Sequence, residues 1–450
     1  MENMQKKIEK LTLINDMLTP DLIREKNVKL GLRNPDGTGV VVGITTKGNV
    51  VGYEKVFDDD EKKKFSIRPI PGRLFYCGYD VIKIVEEVAA EQKFCFDEIV
   101  YLLMTGELPN QHDLKKFVRD LSKRRALSKS ERSIIMDEVQ NDNQMYALHS
   151  VISHMSRCDP TADSTDTNDV LRQCLNLIAK FPTIVAYNYN VSRFGKGNDL
   201  KIVRPDPELS TAENFLYMLK GEKPDRYEAL LFDIALILHA DHGGGNNSTF
   251  TVRTVSSSGA NTYMSIAAGI ASLSGHLHGG ANETVKMMMK DLMKNVKDWQ
   301  NEKKVKAYLE SLMARKGFDR SGKIFGFGHA VYTISDPRAV ILKKHAEKLA
   351  KMKGAYDEFL LYDMVERIAT GLLSGRKGKS ISANVDFYSG FVYQLMGIPK
   401  ELYTPIFAMS RVVGWSAHRL EQIVQGKIIR PAYIHATVEE KKYMPINRRK

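Results

Sequence analysis

The chain has 450 residues, is 43% hydrophobic, and carries 66 Lys and Arg against 54 Asp and Glu, a net charge of +12. This composition supports a sizeable core and excludes a disordered polymer. No run of eighteen apolar residues appears, because Asp233 interrupts the apolar segment 229–238, so no membrane-spanning helix is expected.

The basic residues fall in short groups at 62–64, 115–116, 124–125, 343–344 and 448–450, with no RNP-like or helix-turn-helix spacing beside them. They read as solvated faces whose mild positive field concentrates a polyanionic small substrate, not as a nucleic-acid surface. The first sixteen residues mix acidic and basic side chains and lack an apolar signal core, which points to a cytoplasmic protein. Cys77, Cys95, Cys158 and Cys174 have no CxxC spacing and read as reduced thiols in the core.

Residues 1–30 read as a polar helix and a connector. Residues 40–53 carry β-branched runs on both sides of Lys47-Gly48-Asn49 and predict a hairpin at about 39–54. The segment 72–80 reads as an aromatic loop punctuated by glycine. Residues 81–104 form one amphipathic stretch that stops at Gly106 and Pro109. Ser128 with Glu131, and Ser210 with Glu213, have the spacing of capping boxes. A helix over 146–158 leads through a polar connector to a second over 170–190, where Pro182 predicts a kink. Residues 194–209 read as a loop. Helical spacing returns over 281–293, 302–316, 336–352, 356–374, 383–396 and 401–424, with a basic turn at 376–382. The fold class is therefore all-α, with fifteen or more helices in a larger and a smaller lobe.

The stretch 238–288 concentrates the chemistry. Five of the eleven histidines fall between His239 and His329. Two histidine turns, His239 to His242 and His276 to His278, run into glycines on either side of the small apolar segment 265–273. Imidazole exchanges protons near neutral pH, and glycine lets backbone approach a ligand. Histidine, glycine and asparagine gathered in this way read as a site for an anionic substrate.

Three constellations follow. His278 precedes a predicted helix, where the dipole favours neutral imidazole; it is either a carbonyl-polarising group or a helix cap. His329 follows Phe325, Gly326, Phe327 and Gly328, and Arg338 nine residues later can grip a carboxylate with two N–H groups. Asp386, among Val385, Phe387 and Tyr388, is either a cap or a carboxylate of raised basicity able to take a proton from carbon. His239 and His242 stand three residues apart, yet no third ligand or HExxH accompanies them, so no metal is expected.

In order and spacing, His239-Ala-Asp-His242, Leu277-His278-Gly-Gly-Ala-Asn282, Gly326-Phe-Gly-His329, Asp336-Pro-Arg338 and Asn384-Val-Asp386 resemble the citrate synthase family. Ser410-Arg411 through His418 and Arg430-Pro431 extend the resemblance over nearly the whole chain. It implies an all-α two-domain subunit, with a large domain over 1–282 and 398–450 and a small one over 283–397, working as a homodimer without a cofactor. It implies acetyl-CoA and oxaloacetate as substrates, condensed and hydrolysed to citrate and CoA. By resemblance, Asp386 removes a methyl proton, His278 bonds the thioester oxygen, and His329 polarises and then protonates the oxaloacetate carbonyl. His242, Asn246, Arg338 and Arg411 hold oxaloacetate, and Arg430 arrives from the partner subunit. Phe325, Gly326, Phe327, Gly328, Lys377, Lys379 and Asn384 are candidates for CoA.

The chain departs from the family pattern at Thr333 and Cys77, where many members are basic, and at Gly243-Gly-Gly-Asn-Asn. A 2-methylcitrate synthase using propionyl-CoA stays open, because one methylene shifts discrimination by only about 1–3 kcal/mol. A non-catalytic CoA-binding relative is the reading from another class, and the proton-transfer set argues against it.

Overall fold

The computed structural model describes residues 18–57, 65–435, 440 and 442–449. Residues 45–427 form one compact unit, and residues 1–44 with 428–450 form another. Seventeen α-helices and one three-stranded sheet lie among the described residues. The smaller unit holds α1 (Pro20–Glu25), opened by Pro20 and by Thr19, whose hydroxyl accepts the Leu22 N–H. The predicted helix over 1–30 otherwise falls largely outside the described residues.

The sheet corrects the predicted hairpin. Strand β1 (Gly48–Phe57) pairs antiparallel with β2 (Phe65–Tyr76), and β2 with the short β3 (Tyr79–Asp80). The β-branched run before Lys47 makes no strand and leaves Val41 exposed. Much of the predicted aromatic loop at 72–80 is strand. Pro69 and Pro71 disguise it, since proline cannot donate to a ladder; the register shifts between Val51 and Tyr53, beside Pro69.

The stretch 81–104 is two helices, α2 (Val81–Glu91) and α3 (Phe96–Thr105). Gln92 ends the first in the left-handed region at φ 52°. The start of the second is held from elsewhere in the chain: the Asp233 carboxylate accepts the N–H groups of Cys95 at 2.7 Å and Phe96 at 3.1 Å. The acid that interrupts an apolar helix is thus the cap of its neighbour.

The remaining helices are α4 (Gln111–Arg124), α5 (Lys129–Asp137), α6 (Gln144–Met155), α7 (Thr167–Gly195), α8 (Thr211–Lys220) and α9 (Arg226–His239). Then come α10 (Asn247–Ser257), α11 (Thr262–Leu273), α12 (Ala281–Asn295), α13 (Glu302–Met313) and α14 (Pro337–Met352). The last three are α15 (Tyr356–Lys377), α16 (Val385–Leu395) and α17 (Tyr403–Gln425). Both capping boxes form, opening α5 and α8. Helix α7 runs through Pro182 as one 29-residue element.

Helix α17 is the axis of the core: it packs on α7, α9, α10 and α11, and Trp415 is fully buried. The small residues of α11 allow this approach. A Cβ on Gly269 would lie 2.6 Å from Val252 Cγ2 and 3.2 Å from the Trp415 ring. Cys95 and Cys174 are buried as expected, whereas Cys158 is exposed.

Candidate active site

Four segments of the larger unit carry the predicted side chains. The first is the turn after α9, where four C-terminal carbonyls of a helix need partners. Helix α17 partners two of them, with Ser410 donating to Leu236 O and Arg411 Nε to His239 O at 2.7 Å, and its Gly414 N–H donates to Ala240 O, just past the helix, at 3.1 Å. Tyr76 of β2 donates to Ile237 O at 2.8 Å. His239 and His242 are thereby sealed in the interior. Burial first, then Arg338 and Arg411, keeps both imidazoles far below the usual histidine range and therefore neutral.

His278 lies in the turn before α12. The cap position of that helix is Gly280, so His278 is not the capping residue. It is neutral, as its position suggested, but for a different reason: burial, with Arg411 second, pushes it down to about 4. Its Nε2 accepts the Ser248 N–H at 3.3 Å and lies 3.0 Å from the Ser248 hydroxyl. The proton therefore sits on Nδ1.

His329 packs edge-on against His242, with ring centroids 4.9 Å apart, and stacks on Tyr332 at 4.6 Å. Its Nδ1 accepts the N–H groups of Val331 and Tyr332, each at 3.0 Å, which leaves Nε2 protonated and able to donate.

The loop of His329 is tied to the start of α16. Gly326 and Gly328 adopt φ of 86° and 85°, conformations suited to glycine. They let Asn384 N–H reach Gly326 O at 2.8 Å and Gly328 N–H reach Ser382 O at 2.9 Å, while the Asn384 side chain donates to Gly328 O at 3.0 Å. Asn384 also caps α16 by accepting the Asp386 N–H at 3.1 Å. The cap is thus Asn384, and the Asp386 carboxyl is left for other work. Burial pushes that carboxyl up to about 7, against the opposing pull of Arg338 and Arg411.

Those two arginines join the segments. Arg411 acts electrostatically on His239, His242, His278 and Asp386, and Arg338 on His239, His242 and Asp386. Among the described residues, the Nη1 and Nη2 groups of Arg411 are buried without partners, as is His242 Nε2. Arg338 is gripped by Asp336, with Nε and Nη2 donating at 3.0 and 2.7 Å. A buried cluster of unsatisfied donors around two cations is built to receive an anion with several oxygens. Beside it stand one raised carboxyl and two neutral imidazoles with fixed protons, the parts needed for enolisation.

A model of "Citrate synthase, C-terminal domain" matches residues 40–432. The chain belongs to the citrate synthase family. It is an enzyme of the citrate synthase type, an acyltransferase. Citrate synthase from Haloferax volcanii is 38% identical over 88% of this chain and 98% of that one. A 2-methylcitrate synthase from Corynebacterium glutamicum is 32% identical over 85% and 94%. The crystal structure of citrate synthase from Pyrobaculum aerophilum matches with a TM-score of 0.73 at 32% identity, over 91% and 94%. That from Thermoplasma acidophilum, a ternary complex with carboxymethyl coenzyme A and oxaloacetate, matches with a TM-score of 0.75 at 27% identity, over 94% and 99%.

Of the other predicted citrate synthase residues, Asn246 accepts the Ser248 hydroxyl at 2.9 Å, one step from His278. Lys377 and Lys379 are exposed on either side of the left-handed Gly378 that ends α15. Arg430 belongs to the other compact unit and is exposed. The Thr333 hydroxyl is buried without a partner among the described residues. Among the described residues, no group of three or more His, Cys, Asp or Glu side chains gathers to hold a metal, and no helix is long and apolar enough to cross a membrane. Sequence reasoning missed Ser248 and the work of Asp336. Ser248 has no local signal, because its partner is set by the fold, whereas Asp336 stands at a helix cap before Pro337, two residues from the arginine it grips.

Proposed function

We propose that this chain condenses acetyl-CoA with oxaloacetate and hydrolyses the citryl-CoA thioester to citrate and CoA. Asp386 takes a methyl proton from the thioester while Nδ1–H of His278 donates to the thioester oxygen, so that charge leaving carbon is met by a fixed donor. The enol attacks the oxaloacetate carbonyl, polarised by Nε2–H of His329, which then gives up its proton to the new alkoxide. His242, Asn246, Arg338 and Arg411 bind the oxaloacetate oxygens. CoA lies along Phe325, Gly326, Phe327 and Gly328, with Asn384, Lys377 and Lys379 near it. The observation that carries this reading is the Asp386 carboxyl, pushed up to about 7 by burial, which feels the same two arginines as His242, while backbone N–H groups fix the tautomers of His278 and His329.

The enzyme works as a cytosolic homodimer needing no metal or other cofactor, with the partner's Arg430 completing the oxaloacetate site. Each unit carries exposed apolar side chains that support an uncovered contact surface of its own: Leu277 is 80% exposed in the larger and Tyr433 94% in the smaller. A large lobe over 1–282 and 398–450 closes on a small one over 283–397. The packing of α14 on α15 and of α12 and α14 on α16 supports a separate small lobe. Closure keeps water from the enol.

A thiol-release assay with oxaloacetate and a panel of short acyl-CoA thioesters tests the reaction. We expect kcat/KM to be highest for acetyl-CoA. The 2-methylcitrate synthase relatives favour a second reading, and a higher value for propionyl-CoA would establish it. No thiol release with any thioester would leave a binding protein.

A further inference from the structure

Asp241 stands between two residues of the His239–His242 turn, yet no step of the proposed reaction uses it. Its side chain is fully buried and walled in by backbone. A Cβ on Gly48 of β1 would lie 2.0 Å from Asp241 Oδ2, and one on Gly414 of α17 would lie 2.6 Å from Oδ1. Its carboxylate accepts the backbone N–H of Gly243 at 3.3 Å through Oδ2. The peptide that follows His242 is therefore oriented by this one carboxylate.

A chain of side chains from α17 and α10 holds Asp241 in turn. His418 Nε2 lies 3.1 Å from Asp241 Oδ2, and both side chains are fully buried. Arg253 Nη1 stands 2.7 Å from His418 Nδ1. A guanidinium only donates, so Nδ1 accepts and the proton of His418 sits on Nε2, aimed at Asp241. Arg253 is fixed by Glu421 at 2.9 Å, and Glu421 also accepts from Thr45 Oγ1 and from the Thr46 N–H, each at 2.8 Å. Burial alone would raise the Asp241 carboxyl, but His418 and Arg411 hold it below the usual carboxylate range, as an anion.

Helical spacing explains why one element can do this. Arg411, Gly414 and His418 are three and four residues apart and share a face of α17. They meet His239 O, Ala240 O and the Asp241 carboxylate in succession. The same face thus presents Arg411 to the site and grips the turn that presents His242.

We propose that Asp241, held by the Nε2–H of His418, is the positioning residue of the keto-acid end of the site, setting His242 and supplying the buried counter-charge for Arg411. It acts through those two side chains and touches no substrate. The inference rests on the oxaloacetate-binding role proposed above for His242 and Arg411.

The test compares wild type with His418→Phe, His418→Gln and Asp241→Asn, by calorimetric binding of oxaloacetate and by KM for each substrate. His418→Phe leaves a buried carboxylate without its donor, and oxaloacetate Kd and KM rise roughly tenfold or more. The KM for acetyl-CoA stays within about twofold, because neither His418 nor Asp241 is hydrogen-bonded to His278 or Asp386. His418→Gln, whose amide N–H reaches the same carboxylate, recovers to within about threefold of wild type. A merely structural role would move both KM values together and would not be rescued by glutamine. Unchanged oxaloacetate Kd in a His418→Phe protein with native near-UV circular dichroism overturns the proposal. If that variant does not fold, Asp241→Asn decides: the same selective loss upholds the proposal and an unchanged Kd overturns it. Wild type that binds oxaloacetate but releases no thiol would sink the proposed reaction alone, and the binding arm would still judge Asp241.

Discussion

Ser248 presents its backbone N–H to His278 Nε2 at 3.3 Å, and this contact decides which imidazole nitrogen carries the proton. A backbone N–H can only donate, so Nε2 must accept and the proton is on Nδ1. The contact survives loss of the hydroxyl. Ser248→Ala is expected to lower kcat by less than about tenfold, with a modest loss of stability, because buried Trp415 Nε1 loses its acceptor at 3.2 Å. His278→Ala, which removes the donor itself, is expected to lower kcat by roughly 10²–10³-fold. Steady-state kinetics of the two variants check the contrast; equal losses would show that the hydroxyl and not the backbone sets the tautomer.

Asp386 links activity to pH with a definite sign. Its carboxyl sits at about 7 in the folded chain, against an ordinary value of 3.8. A base must be deprotonated, so kcat/KM for acetyl-CoA is expected to rise with pH up to about 7 and then level off. His278, held down at about 4, adds no limb in that range. Stability runs the other way. A raised folded-state value contributes stability that is present below 3.8 and is lost as pH climbs through about 7. Asp386→Asn is therefore expected to cost roughly 10²–10⁴-fold in kcat. It should also raise Tm relative to wild type at pH 8 by roughly 2 °C or more, with a smaller gain at pH 5. Melting curves at the two pH values decide.

How much of this was legible in the sequence depended on where each residue finds its partner. Helical spacing is local, so the α-rich class and both capping boxes could be read directly. His278, His329 and Asp386 stood out because glycine and asparagine crowd around them. What stayed hidden depends on distant partners. Asp233 looked like a flaw in an apolar helix until it met Cys95 and Phe96. Strand β2 was masked by Pro69 and Pro71, and the real pairing of β1 lies beyond the acidic and basic run that precedes Phe65. The neutrality of His278 was foreseen from a helix terminus but is caused by burial and by Arg411, 133 positions along the chain.

The sheet clamps the loop of His329 through glycine. Gly72 N–H donates to Ser335 O at 3.1 Å, and a Cβ on Gly72 would lie 2.2 Å from that oxygen and 2.6 Å from the Tyr332 ring. Tyr332 is the ring on which His329 stacks. Gly72→Ala is therefore expected to destabilise the protein by about 1–3 kcal/mol and to lower kcat with it, as the loop is pushed away. Gly371→Ala is the control. It lies inside α15 with nothing within 4 Å of its Cβ position, and is expected to stabilise by about 0.5–1 kcal/mol with unchanged kinetics. Chemical denaturation of both variants tests the pair.

Asp336 is the buried carboxylate on which Arg338 depends. It caps α14 by accepting the Arg338 N–H at 3.0 Å, grips the guanidinium through both oxygens, and accepts the Val385 N–H at 3.2 Å at the start of α16. One side chain thus joins the helix of Arg338 to the helix of Asp386. The two halves of the pair should fail differently. Arg338→Lys keeps the charge but loses the fork, so KM for oxaloacetate is expected to rise roughly tenfold with stability nearly kept. Asp336→Ala leaves a cation without its partner in a site where Arg338 is 3% exposed. That variant is expected to lose about 3–5 kcal/mol of stability, read from the denaturation midpoint. Its KM is expected to rise as well, because an ungripped guanidinium no longer points at the substrate. If Asp336→Ala keeps wild-type stability, Asp336 does not hold Arg338 and the α14–α16 junction in the way these hydrogen bonds indicate.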